Sequence, residues 1–242
     1  MMNYLVIDFG NTFAKLAIFN SSSEIQFEDR AEEFTIGQLR DLVSQFEIGD
    51  GIYSSTRDLS PEFEEYWAST KFKVLDTDFP WSFDSEYITP KTLGRDRIAG
   101  IAGANALFPK RNNLIIDIGT CITYDLVTAN RLHLGGAISP GIDMRLKAMH
   151  DYTDRLPLVS KSATTVFLGT STEEALQAGG VGGVLLEIGT YIDNLANSFE
   201  DLNVMLTGGD ADFVHSHLNY KMTVQAKLVL IGLFEMLKKN AK

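Results

Sequence analysis

"LIIDIGTCITYDLV", residues 114 to 127, breaks a run of aliphatic residues with an aspartate, a glycine and a threonine, and then resumes it. Asp117 closes a strand pattern whose apolar neighbours would bury it, a setting in which a lone carboxylate is costly to desolvate. The glycine two residues on allows a sharp turn and a close approach to a ligand. "LVIDFGNTFAKLAIF", residues 5 to 19, has the same construction: Asp8 ends the run, Gly10 follows two residues later, and Thr12 supplies a hydroxyl as Thr120 does in the later copy. One such turn is ordinary punctuation between strands. Two copies 109 residues apart, about one domain length, indicate an internal duplication. Turns that offer amides, hydroxyls and a carboxylate each suit a polyphosphate and its Mg2+. Lys15 adds a cation within reach of a phosphate, or else a solvated lysine on an outward strand face; periodicity alone leaves both open.

Both halves of the chain repeat one scheme. In the first, strands are expected at Tyr4–Asp8 and Thr12–Phe19, joined at Gly10-Asn11, a dipeptide that tolerates positive φ. A third follows near Ile25–Glu28. Thr35 and Gln38 form a capping box before a helix with Ile36, Leu39, Leu42, Val43 and Phe46 on one face. "GIYSS" reads as a strand, and Pro61 opens a helix at its preferred first position. "KFKVLD" is a further strand, the stretch after it is irregular, and residues 95–108 are helical. After "PKRNN" three strands come near Leu114–Ile118, Ile122–Thr128 and Leu132–Ile138, then a helix over 142–150. A glycine-interrupted helix is expected over 172–197, then a strand "NVMLTG" and a last helix from about Thr223 with Leu228, Ile231, Leu233, Phe234 and Leu237 apolar. The reading is α/β, with two duplicated domains, residues 1–112 and 113–242, facing across a cleft.

Composition restricts the function. At 242 residues the chain can bury a substantial core, and its 45% hydrophobic and 22% charged content is that of a globular protein. No apolar run approaches the roughly 18 residues of a membrane span. "MMNYLVID" enters a strand pattern without a targeting segment, and a single cysteine, Cys121, fits a reducing compartment, so a cytoplasmic location is expected. A net charge of −11 argues against a nucleic-acid partner, so an anionic ligand needs a locally prepared pocket. His133, His150, His215 and His217 show no metal-binding spacing, and Cys121 reads as a packing residue.

The motifs together resemble a family. "DFGNTFAK" (Asp8–Lys15) and "DIGT" (Asp117–Thr120) resemble the two phosphate motifs of the actin, sugar kinase and Hsp70 superfamily, whose domains are ribonuclease H-like (actin-like ATPase) folds. "GRDR" (Gly94–Arg97), "GGAISPG" (Gly135–Gly141), "LP" (Leu156-Pro157), "TSTEEALQAG" (Thr170–Gly179) and "TGG" (Thr207–Gly209) follow in the order seen in type III pantothenate kinases. The resemblance covers nearly the whole chain. It implies ATP-dependent phosphorylation of pantothenate to 4′-phosphopantothenate, the first step toward coenzyme A, by a homodimer using Mg2+ and a monovalent cation, K+ or NH4+.

The resemblance also implies roles for residues. Asp96 is the acceptor of the hydroxyl proton, and its place beside Arg97 near a helix start suits an ionised base. Asp8, Phe9, Gly10, Asn11, Thr12, Phe13, Ala14 and Lys15 form the ATP-phosphate turn, with Thr120 a further ATP contact and "TGG" a turn against the adenosine. Asp117 belongs to the monovalent-cation site. Tyr87, Gly94, Arg95, Asp96 and Arg97 line the pantothenate site, Arg97 by its bidentate fork and Arg95 at the variable position, where it also reads as a surface charge. Thr172 matches a pantothenate contact from the neighbouring subunit, and alternatively reads as the N-cap of the helix containing Glu173 and Glu174. Asp210, after "TGG", departs from the small or apolar residue expected there, and Cys121 stands where alanine would be less surprising. The rival readings are a non-catalytic regulatory relative of the same fold and another small-molecule kinase of the superfamily.

Overall fold

The computed structural model describes residues 2–76, 78–162 and 167–240. Its elements, numbered in chain order, begin with β1 (Asn3–Phe9), β2 (Ala14–Asn20), β3 (Ile25–Ala31), α1 (Ile36–Gln45), β4 (Ile48–Ser55), α2 (Pro61–Ala68) and β5 (Lys73–Val74). These strands form one sheet in the order β3-β2-β1-β4-β5, with β1 antiparallel to β2 and parallel to β4. The central strand is apolar on both faces, as a strand covered on both sides must be. Leu5, Ile7 and Phe9 pack with Leu39, Phe63 and Trp67 of α1 and α2. Tyr4, Val6 and Asp8 therefore point to the opposite face.

The capping box at Thr35 and Gln38 is formed, and Ser60 caps α2 behind Pro61. The β1–β2 connection differs from expectation. Neither Gly10 nor Asn11 has a positive φ. The turn is wider, spanning Gly10 to Phe13, with the Gly10 amide donating to the Phe13 carbonyl at 3.1 Å. The glycine is needed there for room, since a Cβ would lie 3.1 Å from that same oxygen.

The chain continues through β6 (Asp84–Ser85), α3 (Arg95–Leu107), β7 (Asn113–Ile118), β8 (Cys121–Val127), β9 (Leu132–Pro140), α4 (Ile142–Asp151), α5 (Thr172–Gln177), α6 (Gly183–Ala196), β10 (Asn203–Thr207), α7 (Ala211–His217), β11 (Met222–Val224) and α8 (Leu228–Asn240). The expected helix over 172–197 is α5 and α6 joined by a π-helical segment, Ala178–Gly182, where glycines weaken the regular ladder. The helix expected from Thr223 starts only at Leu228, because Met222–Val224 pairs with β10 instead. Strand β7 lies antiparallel to β8 and parallel to β10, giving the order β9-β8-β7-β10-β11, with the two-residue β6 added beside β9 as a sixth, edge strand. This is the order of the first sheet with the second set of strands, so the duplication seen in the two acid–glycine turns extends to the sheet topology. Leu114, Ile116 and Ile118 pack with Ile142, Val184, Ile188 and Val214.

Contacts divide the chain into two units, Met1–Pro109 with Arg131–His133 and Lys227–Lys242, and Lys110–Asn130 with Leu134–Ala226. The second half was expected to run through residue 242, whereas α8 packs with the first unit. It lies along α3 at a distance that only glycine permits. A Cβ on Gly232 would sit 1.7 Å from the Ala99 carbonyl oxygen, and one on Gly103 would sit 2.4 Å from that of Leu228. Phe234 of α8 stacks on Phe19 at 4.3 Å, and Tyr4 meets it edge-on at 5.6 Å. This helix pair thus covers the sheet face to which Asp8 points. Gly232→Ala is expected to lower stability by about 3 kcal/mol, at the upper end of overpacking effects. Urea unfolding checks this; a loss within about 0.5 kcal/mol, the range of an ordinary surface change, would mean that the helix contact is not tight.

Candidate active site

In the first unit the site is organised around Asp8. It sits one residue before the end of β1, where it is opposite Lys15 on β2 and Ser54 on β4. The Ser54 hydroxyl donates to Asp8 Oδ1 at 2.8 Å. Asp8 is only 7% exposed. Burial pushes its carboxyl up to about 6 against the restraint of the Ser54 hydrogen bond; the Asp96 charge adds to the rise and Lys15 opposes it. Asp96 and Lys15 are thus each within electrostatic reach of Asp8.

The rest of the expected phosphate turn divides in two. Phe9 and Ala14 are buried, and Phe9 meets Phe63 edge-on at 4.8 Å, so their side chains belong to the core. The Phe9 carbonyl accepts from the Thr56 amide at 3.0 Å. Phe13 is half-buried beneath the Arg30 guanidinium, 4.0 Å from its ring centre. Asn11 and Thr12 are exposed, and Lys15 is half-buried.

Asp96 lies in the first turn of α3, where a carboxylate complements the helix dipole. Its Oδ1 accepts the Arg97 amide at 2.9 Å, and a Cβ on Gly94 would come within 2.5 Å of that oxygen. Gly94 thus leaves room for the carboxylate to fold back over the helix start. Arg97 is 6% exposed and directs its guanidinium over the Tyr87 ring at 5.5 Å. Arg95 is half-buried and donates to the Leu93 carbonyl at 3.0 Å, which makes it a brace for the helix start more than a free surface charge. Tyr53 and Tyr66 pack against the core of the first unit, Tyr53 meeting Phe63 edge-on at 5.2 Å.

In the second unit three motifs meet. Asp117 lies opposite Thr207 in the β7–β10 pairing, as Asp8 lies opposite Ser54 in β1–β4. Gly208 follows at φ +94°, and a Cβ there would fall 2.5 Å from Asp117 Oδ1 and 2.4 Å from the Ile118 oxygen. The Asp210 amide donates to that Ile118 oxygen at 3.0 Å. The Thr120 carbonyl accepts the Gly141 amide at 3.0 Å, which joins "DIGT" to the end of "GGAISPG". Asp210 is 8% exposed and forms an ion pair with Lys161 in place of capping α7. That pair explains an acid where a small residue was expected.

Glu187 of α6 gathers Tyr124, Ser139 and Arg145. Burial alone would raise its carboxyl, and those three donors outweigh it to hold the group below the usual range. Thr172 is exposed in the first turn of α5, but the N-cap is Ser171, whose hydroxyl accepts the Glu174 amide at 3.2 Å. Ser54 and Lys161 escaped the sequence reading, which took Thr207 only as part of the "TGG" turn and not as the hydroxyl opposite Asp117. The two hydroxyls could have been found by aligning "GIYSS" with "NVMLTG" as equivalent strands of the repeat.

The activator of the 2-hydroxyisocaproyl-CoA dehydratase from Clostridium difficile, solved with bound ADPNP, superposes with a TM-score of 0.57 at 13% identity, over 100% of this chain and 98% of that one. A glucokinase from an Antarctic psychrotroph gives 0.51 at 13% identity, over 99% and 100%. The fold is therefore that of the actin-like ATPases and sugar kinases. A family model of type III pantothenate kinases matches residues 4–194, and the type III pantothenate kinase of Christiangramia forsetii is 38% identical over 238 residues, 98% of each chain. The chain belongs to the type III pantothenate kinase family.

The elevated Asp8 carboxyl has a consequence for stability. Because its folded value, about 6, lies above the usual aspartate value of 3.8, its contribution is fully present below 3.8 and is lost as pH rises through about 6. Without ligand, Asp8→Asn is expected to be more stable than the wild type by roughly 3 kcal/mol near pH 7.5, with the difference closing below about pH 4. Urea unfolding across that range checks it, and a pH-independent difference would contradict it.

Proposed function

We propose that the chain transfers the γ-phosphoryl group of ATP to the primary hydroxyl of pantothenate, with Asp96 receiving the hydroxyl proton. The observation that carries this reading is the grouping of Asp8, Lys15 and Asp96 in one unit, with Arg97 and Tyr87 continuing from the same helix start. A new P–O bond forms to the pantothenate oxygen as the bond to ADP breaks. The products are 4′-phosphopantothenate and ADP. Little covalent work falls to the protein in such a transfer; its task is positioning and charge neutralisation. Asp96 orients the hydroxyl and takes its proton, Lys15 meets the phosphate oxygens, and Arg97 holds the pantothenate carboxylate.

The buried Asp8 carboxyl, held by Ser54 and raised by desolvation, suits a divalent cation, which would favour its ionised form. Bound Mg2+ supplies neutralisation of phosphate charge. Asp117, packed against Gly208, is the residue for K+ or NH4+, and Thr120 is a contact for ATP. Thr172, released from capping by Ser171, is a pantothenate contact supplied to a second copy of the chain in a homodimer. The exposed apolar residues Met144, Leu186 and Tyr191 supply surface for that association. No helix among the described residues is long and apolar enough to cross a membrane, and we place the enzyme in the cytoplasm.

Asp96→Asn is expected to reduce kcat by about 100-fold or more with the fold intact. Coupled detection of ADP release with pantothenate checks it. A folded wild type with no pantothenate-dependent ADP release would overturn the activity, and near-full rate in Asp96→Asn would overturn the role of the base alone. For the dimer, light scattering of an active preparation decides: a strict monomer with full activity excludes Thr172 from acting in trans.

A further inference from the structure

Tyr87 lies on a connection that, over residues 78–93, is irregular except for β6 and a 3-10 turn at Pro90–Thr92. Two residues of strand are weak anchorage by themselves. The connection is held instead by the segment ending at His133, which belongs to the same unit. The Asp84 amide donates to the Arg131 carbonyl at 3.0 Å and the Glu86 amide to that of His133 at 2.9 Å. His133 is fully buried, and its Nδ1 lies 2.8 Å from the Ser85 hydroxyl oxygen, which itself accepts the Tyr87 amide at 3.1 Å. The imidazole also stacks with the Tyr87 ring, with centres 6.1 Å apart and planes 19° apart, and meets Phe83 edge-on at 6.2 Å.

A buried histidine is most often a satisfied core residue. Here, Nδ1 and the ring face both meet residues that carry Tyr87, whose ring in turn lies under the Arg97 guanidinium. We propose that His133, acting with Ser85, is a positioning residue for the pantothenate subsite, fixing the place and tilt of the Tyr87 ring beside Arg97. The inference rests on the assignment of Tyr87 and Arg97 to pantothenate given above. His133 touches neither the reacting atoms nor the nucleotide. Its loss therefore weakens pantothenate binding and leaves the transfer step in place.

The test is steady-state kinetics of the full chain, varying pantothenate and ATP separately, for His133→Phe, Ser85→Ala, the double variant and Tyr87→Ala. His133→Phe keeps a ring and removes the hydrogen bond. Ser85→Ala removes that bond together with the one from the Tyr87 amide, at a half-buried site that places little demand on folding. His133→Phe is expected to raise KM for pantothenate about fivefold, the loss of one hydrogen bond's worth of order, and Ser85→Ala at least as much. The double variant should match Ser85→Ala, and kcat and KM for ATP should stay within about twofold. An unchanged KM for pantothenate in Ser85→Ala, equal shifts in all three parameters, or additive effects in the double variant would each overturn the inference. Tyr87→Ala separates the two levels of the claim. If it leaves KM for pantothenate unchanged, the subsite assignment itself fails. If it raises KM while His133→Phe and Ser85→Ala do not, only the positioning role fails.

Discussion

The site depends on keeping one carboxylate at the buried end of a central strand. Asp8 could have been placed on the surface at no electrostatic cost. Instead it sits among apolar residues, with the Ser54 hydroxyl as its hydrogen-bond donor, on the sheet face that α3 and α8 cover. Burial raises its proton affinity, and that same unmet demand for positive charge makes the position attractive to a cation. The fold thus gives up stability at neutral pH in exchange for a prepared binding group, a common relation between active sites and stability. Several other features follow from it. Gly103 and Gly232 bring α8 against α3 closely enough to cover that face, and Gly94 leaves room for Asp96 at the start of α3.

The duplicated units solve the problem twice with different chemistry. Each central strand carries an aspartate one residue before its end, and each aspartate has a hydroxyl residue opposite it on the parallel neighbour, Ser54 in one case and Thr207 in the other. The strand on the antiparallel side differs: Asp8 faces Lys15, whereas Asp117 faces Thr123. The first sets the carboxylate opposite a lysine; the second packs it against a glycine backbone with no lysine opposite. The repeat preserved the platform and let the charge beside it diverge.

Much of this was legible in the sequence because it is local. The acid–glycine turns, the capping box at Thr35, the proline start at Pro61 and the order β-β-β-α all depend on neighbours within a few residues. The parts that were not legible depend on distant pairings. Nothing near Thr223 shows that Met222–Val224 pairs with β10, or that the helix after it packs with the first unit. Lys161 and Asp210 meet across 49 residues, and His133 and Ser85 across 48. Positive φ at Gly10 and Asn11 was a reasonable expectation from the dipeptide, but the turn extends to Phe13 and removes the need for it. Within the candidate site, Asp8, Asp96, Arg97 and Asp117 were identifiable by residue type and motif, whereas the groups that hold them were not.

The central claim is that Asp8 stays partly protonated until a cation arrives. Calorimetry of Mg2+-saturated nucleotide binding to the wild type, in buffers of different ionisation enthalpy, measures the protons exchanged on binding. With the Asp8 carboxyl at about 6, release of roughly half a proton is predicted near pH 6, falling to almost none near pH 8. Binding at pH 6 with no proton release would contradict it.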